Sequence, residues 1–255
     1  MKITRAVVPS LFTILNIFCG FLSILSTARG EYDMAAWLII AAGVFDVLDG
    51  MMARITKSFS DFGVELDSLC DVVSFGVAPS FMLYTMHLKT LDGLGTLIAA
   101  MPMAFGAMRL ARFNSQLTGY DKDYFRGLPI PSTAMMICAF VLVYFNPASG
   151  TVNSSVLGFM APMAVILSLL MVSTIKYDAM PKFSKRGLLQ HPIRFTFVVV
   201  SATAVLLTRG QALMYVFAVY VASGPIRWLY QAIRNLIQPS RKHAEEESEL
   251  TSVDI

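Results

Sequence analysis

The stretch FDVLDGMMARITKSFSDFGVELDSLCD, residues 45–71, places four aspartates, Asp46, Asp49, Asp67 and Asp71, inside two strongly apolar segments. A charged side chain at the centre of a membrane helix costs roughly 2.5–3.5 kcal/mol on insertion scales, so four of them need a compensating reason. Their spacing supplies one. Asp46 and Asp49 stand at i,i+3 and Asp67 and Asp71 at i,i+4, so each pair lies on one helix face. A short polar link joins the two segments and makes them antiparallel neighbours whose acidic faces can meet. Four clustered carboxylates repel one another, and two divalent cations match their formal charge. Oxygen-only ligation suits Mg²⁺ or Mn²⁺ rather than zinc. At a rise of about 1.5 Å per residue, Asp46 lies roughly 12 Å from the helix end at Arg54, and Asp71 roughly 16 Å from Ser60.

The rest of the chain explains why these segments read as membrane helices. Of 255 residues, 56% are hydrophobic and 15% charged, where a soluble domain carries about 25% charge; the mean hydropathy is +0.63. Eight windows of a length to cross a bilayer fall near 7–28, 33–53, 62–88, 93–113, 129–146, 154–176, 192–208 and 211–233. The expected fold is therefore an all-α integral membrane protein of about eight spans. It forms a single membrane-embedded domain over 1–237, followed by a charged tail, 238–255, too polar to bury a core and expected to be disordered.

Of the 20 Lys and Arg residues, only Arg29, Lys89 and Arg209 fall on one side of these spans. The positive-inside rule then places both termini and the acidic cluster on the cytoplasmic side, and the cell (inner) membrane is the expected location. The basic residues hug helix ends without interleaved aromatics, which argues against nucleic acid as a partner. Cys19, Cys70 and Cys138 all fall within spans, an odd buried set unlike a disulfide framework. The first apolar run is long for a cleavable secretory signal and holds Asn16 and Gly20, so a retained helix is expected.

Glycines fall where close approach is needed: Gly50 follows Asp49, and Gly63 stands one turn before Asp67. Arg54, eight residues after Asp46, lies on nearly the same face, where a guanidinium can hold a phosphate oxygen or simply anchor a helix end. Together the residues spell Asp46-x2-Asp49-Gly50-x2-Ala53-Arg54-x8-Gly63-x3-Asp67-x3-Asp71. This pattern resembles, at all its positions, the signature of the CDP-alcohol phosphatidyltransferase family. The resemblance implies a six-helix core with two further transmembrane helices added, and a homodimer. It also implies transfer of a phosphatidyl group from a CDP-linked lipid to an alcohol, with CMP leaving. By the same resemblance the four aspartates are ligands of a two-metal site, Asp71 is also the proton acceptor, and Gly50, Arg54, Ser60 and Gly63 line the CDP-alcohol site.

A second region, RLARFN at 109–114 followed by FRGLPIPS at 125–132, is similar to the phosphatidylserine synthase branch of that family, as is the opening helix with Asn16 and Gly20. That similarity implies CDP-diacylglycerol and L-serine as substrates. Arg109 and Arg112, at i,i+3, have the chemistry to clamp a carboxylate, and Asn114 to orient the amino acid. Two arginines at a helix end can equally set topology. Asn16 is as suited to an interhelical hydrogen bond as to a lipid headgroup. Glycerol 3-phosphate and inositol phosphate are the rival acceptors. A cation transporter is the rival of another class, but it would distribute polar residues along a whole transmembrane path.

Overall fold

The structure, a computed structural model, describes residues 3–56, 60–115, 124–178, 203–205, 207–208 and 210–237. Helix α1 (Ile3–Ala28) and helix α2 (Tyr32–Thr56) form an antiparallel hairpin. A nearly continuous helix follows, made of α3 (Asp61–Asp71), a π-helical turn (Val72–Val77) and α4 (Ala78–Met86). A 3-10 turn (Leu88–Leu91) leads into α5 (Asp92–Ser115). Beyond it lie strand β1 (Tyr124–Arg126), α6 (Ile130–Tyr144), strands β2 (Phe145–Asn146) and β3 (Thr151–Val152), α7 (Ser154–Leu157), α8 (Met160–Val172), strand β4 (Lys176–Asp178) and α9 (Gln211–Ile237).

Among the described residues, six helical stretches are long and apolar enough to cross a membrane: Leu11–Ala28, Tyr32–Thr56, Phe62–Met86, Leu88–Ser115, Ser154–Val172 and Gln211–Arg234. The chain is thus a multi-pass, all-α membrane protein. The expected span at 129–146 is shorter than its window, because α6 holds 15 residues, about 22 Å of helix. Its start is fixed by Pro129 and Pro131, and at Phe145 the backbone turns extended. The expected span at 192–208 lies mostly outside the described residues, and the tail 238–255 lies wholly outside them. Among the described residues, the all-α expectation is qualified by two short antiparallel ladders, β1 with β4 and β2 with β3, which tie loop segments at helix ends.

Packing follows membrane rather than aqueous logic. On α1, Thr13, Asn16, Cys19, Ser23 and Ser26 are buried, while Leu11, Ile14, Phe18, Phe21 and Leu25 are exposed. Both sets recur at three- and four-residue steps, so the small and polar stripe faces protein and the large apolar stripe faces lipid. Helix α2 answers with Ala35, Ala36, Ile39 and Ala42, small enough for close approach; there the Ser23 hydroxyl donates to the Ala35 carbonyl at 2.9 Å. Helix α6, buried along most of its length, is the central post of the bundle. The three cysteines are free and buried, as expected of packing residues.

Two local devices shape the bundle. The π-turn begins one residue after Asp71, and Pro79 stands just past it. Proline has no N–H and its ring crowds the carbonyl four residues back. The widened turn accommodates both, and the Ala78 amide donates five residues back to Val73. The second device is the Gly127-Leu128-Pro129 segment, which seals the C-terminus of α8. The Leu128 amide donates to Leu170 O at 3.0 Å and the Gly127 amide to Ile175 O at 2.8 Å. Arg112 donates to Val172 O at 3.0 Å and to Arg126 O at 3.2 Å. The last carbonyls of a helix lack intrahelical partners, and these donors supply them.

Gly127 adopts φ +79, and an added Cβ would run into the Met171 carbonyl. Gly127→Ala is therefore expected to destabilise the protein by about 1–3 kcal/mol, read as a lowered thermal midpoint of the detergent-solubilised protein; an unchanged midpoint would contradict this role.

Candidate active site

The acidic faces of α2 and α3 meet. Asp46, Asp49 and Asp67 each present a carboxylate oxygen within 4.8 Å of the others. Asp71 lies one turn beyond Asp67 on α3, buried and within Coulombic range of Asp46, Asp67 and Asp49. The four residues thus form one acidic site with three closely gathered members and a fourth set apart.

Helix α1 supplies hydrogen bonds to both acidic helices. The Asn16 side-chain amide donates to Asp71 Oδ1 at 3.2 Å, and the Thr13 hydroxyl donates to Asp49 Oδ2 at 3.0 Å. The Ser74 hydroxyl, in the π-turn, donates to the Asn16 carbonyl at 3.0 Å and fixes α1 against the segment after Asp71. For Asn16 the interhelical bond is therefore the observed use. Thr13 is a site residue that charge and motif give no hint of. Its signal was available in the spacing of Thr13, Asn16, Gly20 and Ser23, a small and polar stripe on an otherwise apolar helix.

Three observations fit a metal at this site. The donors are all carboxylate oxygens, the set suited to hard divalent cations. Their oxygens converge. Asp67 Oδ1 is buried without a hydrogen-bond partner, and a buried acceptor left in that state is costly unless something else coordinates it. The residues present could therefore hold a metal ion, with Asp46, Asp49 and Asp67 as the first candidates.

The remaining expected site residues divide into open and engaged groups. Gly50 faces open space, with nothing within 4 Å of an added Cβ. Arg54 is exposed at the end of α2. Ser60 caps α3, its hydroxyl accepting from the Gly63 amide at 3.0 Å, and an added Cβ at Gly63 would lie 3.1 Å from that hydroxyl oxygen. So Ser60 and Gly63 together start the helix that carries Asp67 and Asp71. Arg109 is buried and within Coulombic range of Asp71. Arg112, the other member of the expected pair, bonds the carbonyls of Val172 and Arg126. Asn114 donates to Ser68 Oγ at 2.9 Å and to Glu65 Oε2 at 3.4 Å, so it joins the end of α5 to the middle of α3.

Partners that orient metal ligands typically change affinity by about 10–100-fold when removed. Asn16→Ala and Thr13→Val are each expected to weaken Mn²⁺ binding by that order, measured by titration of the purified protein. Unchanged affinity in both would show that α1 does not orient the carboxylates.

Residues 6–175 match the family described as CDP-alcohol phosphatidyltransferase. The chain is 35% identical to a protein of Helicobacter pylori named CDP-diacylglycerol–serine O-phosphatidyltransferase, over 91% of this chain and 95% of that one. A Bacillus subtilis protein of the same name is 37% identical over 71% of this chain and 93% of its own length. A Methanothermobacter thermautotrophicus protein named archaetidylserine synthase is 37% identical, over 69% of this chain and 72% of that one. The acidic motif, the helical membrane bundle that gathers it and the match over 6–175 agree: the chain belongs to the CDP-alcohol phosphatidyltransferase family.

Proposed function

We propose that the protein transfers a phosphatidyl group from CDP-diacylglycerol to the hydroxyl of L-serine, giving phosphatidylserine and CMP. The observation that carries this reading is the convergence of Asp46, Asp49 and Asp67, with a buried unpartnered oxygen on Asp67. The names of the relatives support serine as the acceptor.

In this reading the serine oxygen forms a new bond to the phosphatidyl phosphorus as the bond to CMP breaks. Asp71 takes the hydroxyl proton, and Asn16 orients its carboxylate for that task. Two Mg²⁺ or Mn²⁺ ions held by the four aspartates would neutralise charge on the pyrophosphate and on the departing CMP. Gly50 leaves room for the CDP moiety, Arg54 meets its phosphates, and Ser60 and Gly63 shape the start of α3 beside it. Arg109 takes the serine carboxylate, while Arg112 and Asn114 hold the walls of the pocket.

The membrane setting follows from the same residues. The hydrogen bonds of Arg112 and Asn114 join the end of α5 to the end of α8 and to the middle of α3, which supports placing these polar segments on one side of the bundle. With the basic loops inside, that side is cytoplasmic, the chain crosses the cell (inner) membrane about eight times, and both termini face the cytoplasm. The working unit is a homodimer of one catalytic domain, 1–237.

Purified protein with CDP-diacylglycerol and Mn²⁺ or Mg²⁺ is expected to release CMP and form phosphatidylserine when serine is added. Glycerol 3-phosphate and inositol phosphate should release little. Stimulation by one of these instead of serine would overturn the acceptor, and metal flux into proteoliposomes without CMP release would overturn the reaction. Asp71→Asn is expected to reduce CMP release by at least about 100-fold, the lower end of what general-base catalysis contributes. Near-full activity would refute the role of Asp71 as base.

A further inference from the structure

Asn16 uses one end of its side-chain amide and leaves the other open. An ionised carboxylate accepts hydrogen bonds and cannot donate them, so the NH2 end faces Asp71 Oδ1, at 3.2 Å. The oxygen end, Asn16 Oδ1, is buried without a hydrogen-bond partner, in a residue that is itself fully buried. An acceptor held in that state is costly. The hydroxyls of Thr27 and Thr133 are also buried without partners, but a hydroxyl can rotate to find a carbonyl on its own helix. The oxygen of an amide has to be met by a donor.

The surroundings of Asn16 hold it in place. The Ser74 hydroxyl donates to its carbonyl at 3.0 Å. One turn further along α1, Gly20 lets the π-turn approach so closely that an added Cβ would lie 2.8 Å from Ser74 Cα. Three residues before Asn16, the Thr13 hydroxyl is bonded to Asp49 at 3.0 Å. Turning α1 to bring Asn16 Oδ1 to a donor elsewhere in the bundle would break all of these contacts. The oxygen is therefore fixed beside Asp71, because the nitrogen and oxygen of one amide share a carbon.

Side by side, Asp71 and Asn16 Oδ1 present two acceptors, a carboxylate and a neutral oxygen. The complementary ligand carries two donors on adjacent carbons, one of them a hydroxyl. A 1,2-amino alcohol with a protonated amine has that arrangement, and its ammonium would make a charge-assisted bond to the amide oxygen. A divalent cation also suits an amide oxygen. The carboxylate oxygens that converge for a cation, however, are those of Asp46, Asp49 and Asp67, whereas Asn16 adjoins Asp71, the member set apart.

We propose that Asn16 Oδ1 is the ammonium subsite of the acceptor, bonding the protonated amine of a 1,2-amino alcohol while Asp71 meets the hydroxyl of the same molecule. Asn16 then does more than orient Asp71: it selects alcohols that carry the amine. The inference rests on the serine reading above.

The test compares three acceptors in full-length protein in vesicles containing CDP-diacylglycerol, with saturating Mn²⁺. Ethanolamine keeps the amine and hydroxyl of serine, and 3-hydroxypropanoate keeps the carboxylate and hydroxyl but lacks the amine. CMP release gives kcat/KM for each, and an acceptor that turns over too slowly is measured as a competitive inhibitor of serine. The wild-type protein is expected to favour serine over 3-hydroxypropanoate by at least about tenfold, the effect of one hydrogen bond to a charged group. Asn16→Leu should remove most of that preference and change the ratio of serine to ethanolamine less than twofold. Weaker support of Asp71 lowers all three rates together and cancels from these ratios. Asn16→Asp keeps an oxygen in place and should retain the preference for the amine even where its overall activity is low. Asn16→Ala removes the same amide oxygen and replaces Asn16→Leu if that variant does not accumulate. Wild-type protein that uses serine but is indifferent to the amine would overturn the subsite. So would an unmoved ratio in Asn16→Leu, or an equal loss of preference in Asn16→Asp. Wild-type protein that ignores serine would instead overturn the acceptor reading on which the subsite rests.

Discussion

Four carboxylates below the surface of a membrane bundle set the constraint on which the rest of the structure depends. Each loses the hydration it would have in water, and each repels the others. The bundle answers with donors rather than counter-charges on the same helices. Thr13 and Asn16 of α1 reach Asp49 and Asp71, and Ser74 ties α1 to the π-turn. Among the buried carboxylate oxygens of the described residues, Asp67 Oδ1 is left open. A cation at the convergence of Asp46, Asp49 and Asp67 would satisfy that oxygen and relieve the repulsion together, so the stability of this region and its chemistry rest on the same group.

The second requirement is that helix ends buried at a membrane interface find hydrogen-bond partners, because lipid offers few. At the end of α8 the partners come from distant parts of the chain: the Leu128 amide and the Arg112 guanidinium. At the start of α3 they come from Ser60. In the middle of α9 the Tyr177 hydroxyl serves the carbonyl left open by Pro225. These bonds also give Arg112 and Asn114 hydrogen-bond partners within the bundle.

The acidic core was legible in the sequence because its logic is local. Spacing of three and four on two consecutive helices is enough to place Asp46 with Asp49 and Asp67 with Asp71, and a short link brings the pairs together. What stayed hidden depends on contacts far apart in sequence. Nothing near Thr13 announces Asp49, 36 residues away, and the polar stripe on α1 becomes informative only once its partner is known. The bond from Arg112 to the carbonyl of Val172 was invisible for the same reason, since the two lie 60 residues apart. The π-turn was masked by an unbroken apolar pattern, although Pro79 marked where an ordinary helix would be disturbed. The shortness of α6 escaped because hydropathy measures apolar length and not where the backbone turns.

The central claim is that the carboxylates of α2 and α3 form one divalent-cation site at the reaction centre. Anomalous diffraction from crystals of the protein grown with Mn²⁺ and a CDP-linked lipid tests it most directly. The account predicts anomalous density enclosed by Asp46, Asp49, Asp67 and Asp71, adjoining the pyrophosphate of the lipid. Density confined to other surfaces, or a pyrophosphate bound away from these four residues, would contradict it.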